Sequence, residues 1–298
     1  MDLEVDLNIS VYYGTMNNNF NLVNLSLNHY ISENMNLFIT MKWAVYRNHP
    51  KIVQNLIHVN FPIQKKSELL TEACWHGRTK LVEFLLNHYG VTDVIEHLNI
   101  AVRKGYFKIT KLLLDYSKYP ICIEEYYLDE IVRKGFVKVI KLLIERGYTK
   151  YLSSDLYVLS EAILNRHYKV AELLLQNGSD PNNSRNSPFI YSCANLDIKY
   201  VKLLSHYGAD IHEGTEEGLH QACLNGKYET IKFLIERGAS LKENLNLNLR
   251  WCCKYGFADI AKIFIDAGAN VHHRNDISLR WAKERGHMDT IHLLEGEI

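Results

Sequence analysis

Residues Ala222-Cys223-Leu224-Asn225-Gly226, followed by Lys-Tyr-Glu-Thr-Ile-Lys-Phe-Leu-Ile-Glu-Arg-Gly238, decide the fold, because the chain repeats them almost word for word. Ile131-Val132-Arg133-Lys134-Gly135 is followed by Phe-Val-Lys-Val-Ile-Lys-Leu-Leu-Ile-Glu-Arg-Gly147. With the first glycine as an anchor, the same phrase recurs at Asn48, Gly77, Gly105, Gly135, Arg166, Leu196, Gly226, Gly256 and Gly286, spaced by 28 to 31 residues. A weaker copy is anchored at Asn18. A fixed period of this length is the signature of a stacked-repeat architecture.

The columns of the repeat carry physical meaning. Seven residues before the anchor stand Met41, Leu70, Leu98, Leu128, Leu159, Phe189, Leu219, Leu249 and Leu279. Four before it, small residues dominate: Ala44, Ala73, Ala101, Ala162, Ala222 and Ala282. Apolar residues at −7, −4 and −3 share one face of a short helix, and those at +5, +8 and +9 share one face of a second. The small residue at −4 lets helices approach closely. Glycine at the anchor (Gly77, Gly105, Gly135, Gly226, Gly256 and Gly286) permits the tight turn between the two helices. A second glycine twelve residues on, as at Gly178, Gly208, Gly238 and Gly268, stands where a helix C-cap belongs. One such pair cannot bury its apolar face alone, so neighbours must stack. Arg166 and Leu196 depart from the anchor pattern and are expected to be the weak points of the array.

This pattern resembles the ankyrin repeat. The family's helix-opening Thr-Pro-Leu-His is matched by Ser187-Pro188-Phe189-Ile190 and by Gly218-Leu219-His220, and its Gly-Ala-Asp ending by Gly208-Ala209-Asp210. The resemblance implies an all-α solenoid of stacked helix–turn–helix units joined by hairpin-like loops. Residues 37–298 are expected to form one continuous array of about nine units, and residues 1–36 a degenerate capping repeat. The last unit carries Glu295 where most inner units place Leu or Ile, as expected of a terminal cap. Units this short, rich in Asn and Tyr, are similar to the ankyrin arrays that giant DNA viruses encode.

Composition narrows the function. Lys+Arg and Asp+Glu both number 34, so there is no overall basic excess of the kind nucleic-acid binders carry. The N-terminus begins Met-Asp-Leu-Glu-Val-Asp, unlike a signal peptide. An intracellular, cytoplasmic monomer is expected. Cys74, Cys193, Cys223 and Cys253 occupy column −3 and Cys252 column −4, so they read as core residues rather than metal ligands. Cys122 lies in a connection and is the one cysteine expected to be reactive. His220 matches the family's structural histidine. No nucleophile elbow, phosphate-binding loop or zinc motif is present, so neither an enzyme nor a cofactor is expected.

The resemblance places binding on hairpin tips and on the exposed end of each first helix, which is columns −2 and −1 here. Those columns carry Tyr46-Arg47, Trp75-His76, Arg103-Lys104 and Arg133-Lys134. Tyr119 and Tyr151 stand in tyrosine-rich connections nearby in sequence. Tyr, Trp and Arg are the residues that dominate binding hot spots. Tyr46, Arg47, Trp75, Arg103, Lys104, Tyr119, Arg133, Lys134 and Tyr151 are therefore the candidate contacts for a protein partner, expected to present an acidic or phosphorylated segment. A nucleic-acid partner or a role as a virion component is the alternative. Asn165, Asn195 and Asn225 repeat at column −1, where each can end its own helix or form part of an amide ladder.

Overall fold

The computed structural model describes residues 10–23, 37–57, 63–89, 93–117, 123, 125–148, 152, 157–182, 188–242 and 244–296. These are mostly helical, and no strand occurs among the described residues. The chain packs as two compact units, residues 1–131 with 138–143, and residues 132–137 with 144–298.

In the first unit, helices α1 (Leu37–Tyr46) and α2 (Pro50–Ile57), α3 (Ile63–Trp75) and α4 (Thr79–Tyr89), and α5 (Ile95–Arg103) and α6 (Phe107–Tyr116) form successive pairs. First helices pack on first helices (α1 on α3, α3 on α5), and second helix α4 packs on second helix α6. Helices α7 (Glu125–Arg133) and α8 (Val137–Glu145) form the pair through which the division between units passes.

The second unit continues with α9 (Val158–Leu164), α10 (Tyr168–Gln176), α11 (Pro188–Asn195), α12 (Ile198–His206), α13 (Ile211–Leu224), α14 (Tyr228–Glu236), α15 (Leu245–Tyr255), α16 (Ala258–Asp266), α17 (His273–Arg285) and α18 (Met288–Gly296). Its odd-numbered helices pack in sequence from α9 to α17, and its even-numbered helices from α12 to α18.

The sequence columns are the core. Leu70, Ala73, Cys74, Leu98, Ala101 and Val102 are fully buried in the first unit, as are Ala222, Cys223, Leu249, Cys252 and Cys253 in the second. Burial pushes the thiols of Cys74, Cys193 and Cys253 up to about 12. Cys252 is raised further, first by its contact with the Cys223 thiol and then by burial. A thiol so hard to deprotonate is inert. Cys122 lies outside the described residues.

One turn is built repeatedly. The anchor residue is left-handed, with φ of 68° at Gly77, 72° at Gly105, 65° at Gly226 and 77° at Gly256. The next residue's amide then donates to the carbonyl at column −4: Arg78 to Ala73 (2.8 Å), Tyr106 to Ala101 (2.9 Å), Lys227 to Ala222 (2.9 Å) and Phe257 to Cys252 (2.9 Å). This is a Schellman termination of the first helix. Residues 10–16 and 20–23 are helical around left-handed Asn18, and Asn19 donates to Gly14 in the same way, at 2.7 Å. The weak N-terminal copy thus makes the same turn as the strong ones.

At Leu196 the turn is of another kind. Its backbone is not left-handed, because Asp197 (φ −70°, ψ 144°) ends the turn early and caps α12, its carboxylate accepting from the Lys199 amide at 3.1 Å. Freed of the turn, the Leu196 side chain is buried.

Candidate interaction surface

The exposed edge of each first helix is defined by columns −5, −2 and −1, which lie a helical turn apart opposite the buried columns. In the first unit this edge is aromatic and cationic. Trp43 stands against Tyr12 and Tyr46, with ring centroids 6.2 and 5.6 Å apart, both edge-to-face. Tyr46 meets the His76 ring edge-on at 4.9 Å, and the Arg47 guanidinium lies 6.0 Å from the Tyr46 ring. Next along the edge, the Lys104 ammonium sits 4.0 Å from the centre of the Trp75 ring. Tyr46 and Trp75 remain 45% and 43% exposed, so their faces stay open to a partner.

Neighbouring backbone contacts hold this edge in place. The Arg78 guanidinium, from the column after the anchor, donates to the Tyr46 carbonyl and fixes the end of α1. Lys42 pairs with Glu72 at 3.2 Å, bracing α1 against α3. Burial, and then the Arg47 guanidinium, hold His49 below the ordinary histidine value.

The sequence-chosen residues divide by role. The structure brings Arg47 onto Tyr46 and Lys104 onto Trp75. Arg103 turns instead to Glu130, at 2.9 Å, where it offsets a carboxylate that is only 5% exposed. A buried carboxylate without its cation is strongly destabilising, so Arg103 is committed to the fold. Arg133 and Lys134 are exposed, and the Lys134 ammonium lies 6.0 Å from the Phe136 ring. Tyr119 and Tyr151 lie outside the described residues.

The second unit carries a similar edge that the column −2 and −1 reading does not single out. Trp251 and Tyr255 stack in near-parallel planes with centroids 5.8 Å apart, and Trp281 stands 5.9 Å from Trp251. Lys254 lies among all three, 4.3 Å from Trp251, 5.1 Å from Trp281 and 5.8 Å from Tyr255. A signal was present: the chain has four tryptophans, and all of them fall in columns −5 or −2. Core packing would have scattered them among the buried columns.

The asparagines at column −1 end their helices. Asn165 donates to the Glu161 carbonyl at 2.8 Å, Asn225 to Gln221 at 2.8 Å, Asn195 to Tyr191 at 3.3 Å and Asn17 to Tyr13 at 3.0 Å. These bonds support the helix-ending reading of the column. His220 is likewise structural, its Nδ1 lying 2.7 Å from Asn248 Oδ1. No group of three or more His, Cys, Asp or Glu able to hold a metal occurs among the described residues. No described helix is long and apolar enough to cross a membrane.

No curated protein matches the chain. Among solved structures it is similar to the human ASB11 ankyrin repeat domain, with 24% identity and a TM-score of 0.47 over 57% of this chain and 82% of that one. Family models describing ankyrin repeats match residues 40–125, 128–215 and 216–243, well over half of the chain. With the repeated turn and the two helix layers of each unit, these family matches place the chain in the ankyrin-repeat family.

Proposed function

We propose that the chain is a protein-binding module, and that the first unit's aromatic–cationic edge docks an acidic or phosphorylated segment of its partner. The carrying observation is Lys104 stacked at 4.0 Å on a Trp75 that stays 43% exposed. An ammonium held over a ring has already lost part of the rotamer freedom that binding would otherwise freeze. Tyr46 and Arg47 extend the same chemistry along the edge. Ankyrin repeats serve widely as protein-interaction modules, and this surface has the composition of a hot spot.

The reading includes an intracellular setting, in keeping with five buried free thiols in the described core. It also includes a single array over residues 37–298 capped by residues 1–36. Kinship with the short-period viral arrays rests on the spacing and the Asn- and Tyr-rich composition.

The test is affinity capture from cell lysate with wild type, a Trp75→Ala/Lys104→Glu variant and a Lys254→Glu control. Arg103 is left untouched, because reversing it would set a second carboxylate against the buried Glu130. A partner lost from the first variant and kept by the control supports the reading. Truncating a hot-spot tryptophan weakens binding by about 2 kcal/mol or more. A partner set that does not change moves the site elsewhere, and capture abolished by nuclease at moderate salt favours a nucleic acid.

A further inference from the structure

Where α9, α11 and α13 lie side by side in the second unit, the exposed edge sinks into a hollow of about 390 Å³. Its origin is one small side chain. Column −2 is Leu164 on α9 and Leu224 on α13, but Ala194 on α11 between them. Leu164, 41% exposed, forms one wall, Tyr191 lies beside Ala194, and Glu217 and Gln221 of α13 close the other side.

Two features give the hollow a chemical character. Ser160 lines it and is 7% exposed, and its hydroxyl oxygen is buried without a hydrogen-bond partner. Such a hydroxyl has lost its hydration with nothing in place of it, a condition it shares with Ser205, Ser278 and Thr290 elsewhere in the second unit. The charge is one-sided as well. Glu217 is exposed at the rim, held by the Gln221 amide at 2.8 Å, and among the described residues no lysine or arginine lines the hollow.

We propose that this hollow is a second docking site, which takes an apolar side chain of a partner polypeptide whose neighbouring residue is lysine or arginine. The apolar side chain fills the space above Ala194 against Leu164. The cation meets Glu217. A backbone carbonyl of the segment accepts from the Ser160 hydroxyl once that side chain swings to a rotamer facing the hollow. The first unit's edge is cationic and this hollow carries Glu217, so the two select segments of opposite charge. The hollow does not depend on what the first edge binds, since the residues tested share no position.

The experiment uses the full chain with labelled methyl groups and two probes, N-acetyl-leucyl-arginine amide and N-acetyl-leucyl-glutamate amide, at millimolar concentration. The arginine probe should shift the Ala194 and Leu164 methyl resonances saturably. The glutamate probe should bind about fivefold more weakly, the range of one exposed charge pair. Glu217→Arg, a change at an exposed position, should reverse that preference, and Ala194→Phe should abolish the shifts by filling the hollow. Absence of any shift overturns the proposal, as does a preference unmoved by Glu217→Arg. A shift of the same methyl groups on raising protein concentration alone would show a second copy as the occupant and would also overturn it.

Discussion

Two turns in the second unit have lost the anchor glycine, and they have lost it in opposite ways. At Arg166 the backbone is left-handed all the same, with φ of 61°, and the His167 amide still donates to the Ala162 carbonyl at 2.8 Å. At Leu196 the left-handed residue is gone and Asp197 caps the following helix instead. The first keeps the shape and bears the strain of a Cβ in the left-handed region. The second changes the shape and gains a buried side chain.

What lies over each anchor explains the difference. A Cβ placed on Gly226 would come within 2.7 Å of the Phe257 ring, one on Gly135 within 2.5 Å of His167, and one on Gly256 within 2.6 Å of His287. In each case the ring belongs to the residue after the next unit's anchor. Two of these rings also reach a carbonyl beneath them, His167 to Arg133 at 2.8 Å and His287 to Lys254 at 3.1 Å. The residue that would cover Arg166 is Asp197, which is small and turned to its own helix. Tyr200 takes over from one turn further on, donating its hydroxyl to the Arg166 carbonyl at 2.6 Å. Burial raises the Tyr200 pKa, keeping the phenol protonated as a donor. A side chain is thus tolerated at an anchor when the next unit withdraws its ring.

The sharpest break of this comparison is Leu196→Gly, which restores the consensus letter at a turn that no longer uses it. It should lower stability by about 3 kcal/mol, the usual cost of emptying a buried leucine site plus the added freedom of the unfolded chain. A urea titration followed by far-ultraviolet circular dichroism reads the loss. A gain would show that the turn reverts to the left-handed form.

Gly226→Ala should cost about 2 kcal/mol or more, since the new methyl group meets both a left-handed backbone and the Phe257 ring. In a Phe257→Ser background the penalty for Gly226→Ala should shrink, and the coupling in that double-mutant cycle measures the ring's share. Gly238→Ala isolates the backbone share. Its φ is 93° and nothing lies within 4 Å of where the new methyl group would stand, so the expected cost is about 1 kcal/mol. Equal costs at the two glycines, read by the same titration, would mean that the ring yields freely.

The layers were legible in the sequence because each column serves one purpose: the buried triplet Leu70, Ala73 and Cys74 returns as Leu98, Ala101 and Val102 and again as Leu249, Cys252 and Cys253. The anchors were legible as letters but not as conformations. Arg166 and Leu196 look alike as departures, and only the partner across the repeat, Asp197 in one role and Tyr200 in another, separates them. Of the interaction edge, Trp75 and Lys104 were visible as a column. The commitment of Arg103 to Glu130 was not, because that pairing joins successive repeats at positions which sequence spacing does not mark as neighbours. The hollow at Ala194 was hidden for the same reason, since an alanine in a column of exposed residues says nothing until the leucine wall beside it is known.

Arg166→Gly is the smallest of these effects and the one with the opposite sign. Removing the Cβ relieves a left-handed conformation that costs a non-glycine residue about 1 kcal/mol. The unfolded chain gains freedom as well, which takes back part of the gain. The Tyr200 hydrogen bond is to the backbone carbonyl and survives the change. The net should be a rise of about 0.5 kcal/mol, seen as a small upward shift of the urea midpoint with unchanged slope. Tyr200→Phe in the same background tests the compensation: if Tyr200 stands in for the missing ring, its loss should cancel the gain from Arg166→Gly. A midpoint that falls on Arg166→Gly alone would mean that the arginine side chain contributes to the turn beyond its backbone, and that the two departures from glycine are more alike than their geometry shows.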